Sequence, residues 1–534
     1  MNKKYTVGVD FGTLSGRAAV VDLTTGMSIA ERVMEYPHAV LETALPDGTP
    51  LPRDFALAVP ADYLAVLMET IRGAVFASGV PKEDIIGIGL DVTSSTFLPV
   101  DLNGGPLCEK PEYASRPHAW MKLWKHHGGS ALAERMTELA RIANEPFLDR
   151  CGGMINAEWM LPKLAEILQD DPEITEVADC FMEAGDWLVR KLTGSHTRSA
   201  CAAGYKMLAD ETLSDAYLDS VVPGFSELLK TKTGGRRVQL GERAGMLTEE
   251  AADLLGLMPG IAVAAANVDA HVASPALSID GPGKLLMILG TSCCAMLSAE
   301  TEQKVPGIFG MVRNGILPGY VGYEAGQSCV GDLYNWYVRS GGYSHADLTE
   351  KASKLRPGES GLLALDWFNG NRSVLSDADL SGMILGLTLR TRPEEIYRAL
   401  IEATAFGMRV IIENFESHGI PVRELYACGG IVKKNPLLMQ IYADITGREI
   451  QIASAEQPTA IGSAMHAAVA AGYFPDILEA ARVIGRTEEK TYRPIEAHRD
   501  TYDALYREYV RLHDYFGRGG NDVMKTLKRC ANKR

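Results

Sequence analysis

The sequence predicts an α/β protein of two large domains, each built on a mixed sheet of about five strands with helices packed against it. Three observations predict it. The chain has 534 residues, more than one compact core usually organises, so two large domains are the default. Two strand–turn–strand segments of the same design lie about 280 residues apart, at Val7–Asp22 and Leu285–Leu297. The pattern of strands and helices after the second repeats the logic seen after the first.

Each segment in turn supports that outline. Residues 5–23 read as two β-branched strands joined by a small-residue turn. A proline-dense loop spans 43–60, too irregular for regular structure and long enough to act as a functional flap. Leu64, Leu67, Met68, Ile71 and Val75 form a helical stripe over 61–78. Ile85 to Val92 is a buried strand that ends in Asp91-Val92-Thr93-Ser94-Ser95-Thr96, polar residues at a carboxyl end, where ligands of α/β proteins usually sit. Residues 115–270 are mostly helical by pattern, and Lys191-Leu192-Thr193-Gly194 reads as a helix end with a glycine cap. Val263–Ala266 is a strand leading into Asn267-Val268-Asp269-Ala270-His271, and the domain boundary is placed there, giving domains 1–266 and 267–534. Hairpins are expected over 284–325, a helix near 328–340, a long helix from Pro393 to about Ser417 and a strand at Glu424–Cys428. Asn435 followed by Pro436 is a helix start signal. A final helix over 498–516 carries Tyr502, Leu505, Tyr509, Leu512 and Phe516 on one face, before a basic end at 525–534.

Bulk properties narrow the function classes. Hydrophobic residues make up 46% and charged residues 23% of the chain, as in an ordinary globular protein. A net charge of −15 argues against nucleic acid or an anionic membrane as partner. The nine cysteines are scattered, with no Cys-x-x-Cys pair, and read as reduced thiols of a cytoplasmic protein. The start runs directly into a strand without an apolar signal core, and no stretch has the ~18 uninterrupted apolar residues of a membrane helix.

The candidate chemistry clusters in a few places. Small-residue hairpins bring backbone N–H groups and hydroxyls to one point, which suits phosphate. Gly12, Thr13, Ser15 and Arg17 in the first, with Gly290, Thr291 and Ser292 in the second, are therefore candidate triphosphate contacts. A carboxylate beside such a nest needs a cation to offset repulsion, which makes Asp10 a candidate contact to Mg²⁺ through water. Asp269 follows a buried strand and precedes the second hairpin, the place for a carboxylate that orients a hydroxyl and accepts its proton late in phosphoryl transfer. His271 reads as packing or hydrogen bonding. Gly429-Gly430 after a strand lets backbone lie flat against a planar ring, and the helix start at Asn435, preceded by Lys434, offers donors. Lys206, in a small-residue loop, and Glu324 are polar groups that a cleft can use.

Taken together, Asp10–Arg17, Asn267–His271, Gly290-Thr291-Ser292, Gly429–Asn435 and Gly382-Met383-Ile384-Leu385-Gly386-Leu387 with its continuation to Glu402 resemble the FGGY family of carbohydrate kinases, within the actin/hexokinase/Hsp70 ATPase superfamily. The resemblance covers essentially the whole chain. It implies two ribonuclease-H-like domains with an ATP and sugar cleft, ATP and Mg²⁺ as requirements, a small-molecule sugar as substrate and a homodimer as the common assembly. Residue by residue it implies Asp269 as base and Ser95, Thr96, Lys206 and Glu324 on sugar. It further implies Thr13 and Thr291 on phosphates, and Gly429, Gly430 and Asn435 near adenosine.

Within the family, the stretches Leu51–Leu57, Gly89–Thr96, Leu123–His127 and Ala203–Lys206 are similar to members that phosphorylate L-ribulose at the 5-hydroxyl in L-arabinose catabolism. Trp120-Met121-Lys122-Leu123-Trp124-Lys125 departs from the motif usual in glycerol and xylulose kinases. Another ketopentose or pentitol (D-ribulose, xylulose, ribitol) is the alternative substrate, and a conformational ATPase of the superfamily is the remote one.

Overall fold

In the computed structural model, which describes residues 3–209 and 211–531, the chain forms two compact units. One gathers Met1–Gly281, Val312–Gly322 and Gln457–Arg486, the other Pro282–Met311, Tyr323–Glu456 and Thr487–Arg534. The units part after Gly281, whereas the sequence suggested a division after Ala266. The physical reason is the helix Asp269–Ala276, which packs on the helix Pro458–Ala470 of the first unit.

The sheet of the first unit runs in the order Arg243–Met246, Ala262–Ala264, Ile85–Val92, Tyr5–Phe11, Ser15–Asp22, Ser28–Glu35, with Asn267–Val268 added at the end of Ile85–Val92. Tyr5–Phe11 is antiparallel to Ser15–Asp22 and parallel to Ile85–Val92. This register sets Asp10 beside Arg17 on one side and beside Asp91 on the other. Asp91 in turn lies beside Asn267. The apolar residues of these strands, among them Val7, Val9, Ile88 and Leu90, are buried with Val66 and Ile71 of the helix Pro60–Ser78 in one core.

The helix Pro458–Ala470 crosses the same strands at backbone contact. A Cβ on Gly8 would meet the carbonyl oxygen of Ala460 at 1.8 Å, and one on Gly89 that of Ser463 at 2.0 Å. Only glycine permits this approach, and it brings the polar residues of the helix's first turns to the strand ends.

The second unit carries a sheet with a matching central order: Val321–Gln327, Cys293–Ala299, Lys284–Leu289, Glu424–Cys428, Ile450–Ile452, with Gly310–Arg313 outside it. Its central strand is again antiparallel to the hairpin partner and parallel to the next strand. The sheets thus have seven and six strands rather than five. A five-strand core of the same order recurs in each, and the additional strands are short edge or end pieces. The long helix Pro393–Ser417 appears as expected. On it, Arg398 and Glu402 form a buried pair at 2.8 Å, and Tyr502 of the helix Arg499–Gly517 hydrogen-bonds to both. The polar end of the family-like stretch is therefore packing material.

Two local expectations are corrected. The 43–60 segment is not a free flap. Leu41 bridges Leu57, Ala44 bridges Pro50, and Leu57–Ala58 pairs with Met121–Lys122. Burial of Phe55, Ala56, Leu57 and Ala58 holds it down. Lys206 lies on a helix, Ala200–Met207, not in a loop, because Ser199 caps that helix by accepting from the Ala202 N–H.

Candidate active site

In the first unit the chemistry-bearing groups collect at the carboxyl ends of the central strands. Asp10, at the end of Tyr5–Phe11, is buried and paired with Arg17 at 3.2 Å. The Thr459 hydroxyl donates to it at 2.5 Å. Asp91 is fully buried and accepts from the Ser463 hydroxyl at 2.6 Å. Burial, then the neighbouring charge of Asp10, then that of Asp269, lift the Asp91 carboxyl well above the ordinary carboxylate range. Asp269 opens the helix Asp269–Ala276 directly after the Asn267–Val268 strand. Its Oδ1 accepts from the Ala270 N–H at 2.7 Å, the favourable setting for a negative charge at a helix start.

The first hairpin is closed by a hydrogen bond from the Gly12 N–H to the Ser15 carbonyl at 3.0 Å. Arg17 also donates to the Ser15 hydroxyl at 3.0 Å, so Ser15 and Arg17 brace the turn and Asp10 at once. The Thr13 hydroxyl accepts from the Trp124 indole at 3.0 Å. Ser95 is buried in a left-handed conformation (φ 56°), and its hydroxyl has no hydrogen-bond partner among the described residues. The Thr96 and Thr93 hydroxyls share a hydrogen bond at 2.8 Å. Lys206 is buried on its helix. His271 is buried against Cys201 Sγ at 3.1 Å and the Tyr205 ring, which agrees with a packing role.

Behind the Asn267–Val268 strand lies a small cavity, with about 10 Å³ of room for the centre of a water molecule, lined in part by Thr93, Glu183, Asp186 and Asn267. Burial and the nearby Asp186 push the Glu183 carboxyl up to about 8. Burial moves Asp186 to about 6, against the pull of Arg198 and the Ser199 N–H. Elsewhere in this unit, ligand atoms of His118, Glu166 and Asp170 lie within 4.8 Å of one another. The Lys122 ammonium already sits 3.3 Å from Glu166, which disfavours a cation there.

In the second unit, the Gly290 N–H donates to the Ser292 carbonyl at 2.9 Å and closes the second hairpin turn. The helix Gly331–Gly341 starts against this turn, its Gly331 N–H donating to the Gly290 carbonyl at 3.0 Å. Gly429 follows the adjacent strand with φ 109°, and a Cβ there would meet the Leu289 carbonyl oxygen at 2.2 Å. Gly430 has open space around its Cα. Asn435 caps the helix Pro436–Thr446 by accepting from the Leu438 N–H at 3.1 Å. The structure thus brings Gly290–Ser292 and Gly429–Gly430 to neighbouring strand ends, with Lys434 beside the helix start. Glu324 is buried on the Val321–Gln327 strand.

Thr459 and Ser463 carry no site signal of their own in the sequence, and Asp91 reads there only as part of the polar end of the Ile85–Val92 strand. The available signal was the small-residue run Pro458-Thr459-Ala460-Ile461-Gly462-Ser463-Ala464, which marks a helix that packs at backbone contact. Nothing local says that it returns to strands more than 360 residues earlier.

The chain thus has two α/β units, each with polar or glycine-rich turns collected at the ends of its central strands. Solved structures of xylulose kinases share the fold. The protein from Lactobacillus acidophilus matches with a TM-score of 0.81 at 17% identity, covering 96% of this chain and 98% of its own. That from Rhodospirillum rubrum matches with 0.79 at 23% identity over 96% and 98%. The models of the N-terminal and C-terminal domains of the FGGY family of carbohydrate kinases match residues 5–274 and 285–471, and the chain belongs to that family. Among curated relatives, the ribulokinase of Geobacillus thermodenitrificans is 51% identical over 99% of this chain and 97% of its own length. The ribulokinase of Halalkalibacterium halodurans is 50% identical over 99% and 98%.

Proposed function

We propose that this sugar kinase transfers the γ-phosphoryl group of ATP to the 5-hydroxyl of L-ribulose, giving L-ribulose 5-phosphate and ADP, a step of L-arabinose catabolism. The half-identity to ribulokinases along nearly the whole chain supports this substrate over other pentuloses and pentitols. The position of Asp269 supports the chemistry. It heads a helix at the strand ends, beside the buried carboxyl of Asp91.

In this reading Asp269 orients the sugar hydroxyl and takes its proton late, as a loose phosphoryl transfer requires. Burial and its two acidic neighbours favour the neutral form of Asp91, which lessens the negative charge beside the incoming phosphate. As the family resemblance implies, Ser95, Thr96, Lys206 and Glu324 contact the sugar. Gly12, Thr13, Ser15 and Arg17 of the first hairpin, with Gly290, Thr291 and Ser292 of the second, hold the triphosphate through N–H groups and hydroxyls. Gly429, Gly430, Lys434 and Asn435 seat the adenosine. Mg²⁺ fits the donor set, since Asp10 presents a hard oxygen ligand among carboxylates and phosphates and a single arginine offsets only part of that charge. Bound near Asp10, the ion would supply charge neutralisation for the transferring group.

The test is an ADP-release assay with L-ribulose, D-ribulose, D-xylulose, L-xylulose, ribitol and glycerol, for the wild-type chain and Asp269→Asn. L-Ribulose is expected to give the highest kcat/KM. The variant is expected to lose roughly 10²–10⁴-fold in kcat, the range for a general base, with little change in sugar KM. Preference for another sugar overturns the substrate, and near-normal turnover by Asp269→Asn overturns the base.

A further inference from the structure

Lys163 is fully buried on the helix Met160–Asp170. Its ammonium donates to three backbone carbonyls: Ser95 at 3.1 Å, Leu123 at 2.6 Å and Trp124 at 3.1 Å. Three carbonyl acceptors thus surround the amine, one for each hydrogen of its protonated form. Burying a lysine is costly, and a position that only required filling would carry leucine or methionine. Here the amine, which burial brings down to about 7, joins two separate loops.

One is the turn after the Ile85–Val92 strand, where Ser95 is held in the left-handed region that a residue with a side chain seldom adopts. The other follows Met121–Lys122 and carries Trp124, whose indole grips Thr13 of the first hairpin. One side chain therefore sets the spacing between the Ser95–Thr96 turn and the segment that steadies the Thr13 turn. We infer that Lys163 is a positioning residue of the sugar pocket, holding the Ser95–Thr96 turn and the Trp124 segment in the one arrangement that binds substrate. This rests on the proposed contact of Ser95 and Thr96 with the sugar.

Lys122 serves as a control. It is equally buried, but its ammonium faces Glu166 at 3.3 Å and His126 at 3.1 Å. Lys163→Met removes all three donors at similar volume, and Lys163→Gln keeps an amide with two hydrogens. The expected result is a sugar KM raised about tenfold or more in Lys163→Met and less in Lys163→Gln, with kcat and the ATP KM within about threefold of wild type. Lys122→Met is expected to lower Tm without moving the sugar KM.

The proposal is overturned if the Lys163 variants change sugar KM no more than Lys122→Met does. It is also overturned if they raise the ATP KM as much as the sugar KM, or if neither folds, since the role is then structural alone. Should the wild-type chain prefer another sugar, the comparison is made on that sugar. The substrate assignment then falls while the role of Lys163 is still decided.

Discussion

Gly8→Ala probes how tightly the site depends on the backbone contact between the Tyr5–Phe11 strand and the helix Pro458–Ala470. The new Cβ would lie 1.8 Å from the Ala460 carbonyl oxygen and 2.5 Å from the Ala464 nitrogen. Side-chain carbons stay at least 3.0 Å from such atoms, so the helix Pro458–Ala470 must withdraw by about 1.2 Å. It has little room to do so, because a Cβ on its Gly462 would already meet the Val272 carbonyl oxygen at 1.8 Å. Overpacking of this kind costs about 1–3 kcal/mol. A withdrawal of that size stretches the 2.5 Å bond from Thr459 to Asp10 beyond hydrogen-bond reach, and the 2.6 Å bond from Ser463 to Asp91 with it. With both carboxyl groups released, kcat is expected to fall roughly tenfold or more. Calorimetry gives the stability change and ADP release the rate. Gly234→Ala, where no atom lies within 4 Å of the added carbon, should behave as wild type in both. If Gly8→Ala keeps wild-type Tm and kcat, the helix is not locked onto the sheet and its two hydroxyls do not set the carboxylates.

Two further outcomes follow from the same geometry. Glu183 titrates at about 8 in the fold against 4.5 when free, so across that interval the folded chain binds the extra proton and stability falls as pH rises. Glu183→Gln cannot ionise, and its Tm should decline less than that of wild type between about pH 5 and 8; parallel curves would place the carboxyl outside the titrating set. Gly429→Ala must relieve both a positive φ and a 2.2 Å contact with Leu289. It should raise the ATP KM about tenfold or more while leaving the sugar KM near wild type, and an unchanged ATP KM would remove Gly429–Gly430 from the nucleotide seat.

Much of the framework was legible from local pattern. The hairpin at Tyr5–Phe11 and Ser15–Asp22, the Ile85–Val92 strand, the Pro393–Ser417 helix and the Asn435-Pro436 start all occur where periodicity and capping chemistry place them. These signals are local, since a strand or a cap is written in adjacent residues. The small neighbours of Lys206 read as turn residues, whereas in the fold Ser199 caps them into a helix. The 43–60 segment reads as a flap because proline density marks irregular backbone, which need not be mobile backbone.

The sequence by itself determined the two-domain α/β class, the two glycine-rich hairpins, Asp269 as the candidate base and the family likeness, because each is carried by a short run of residues. Only the tertiary structure decided what those runs meet. The parallel register of Tyr5–Phe11 on Ile85–Val92 puts Asp10 beside Asp91, and that proximity, with burial, is what lifts the Asp91 carboxyl above the ordinary carboxylate range. The helix Pro458–Ala470 brings Thr459 and Ser463 to those carboxyls, and Lys163 ties two loops through their carbonyls. Contacts of this kind depend on register, close backbone approach and main-chain acceptors. None of these leaves a periodic mark in the chain, so they exist as information only once it has folded.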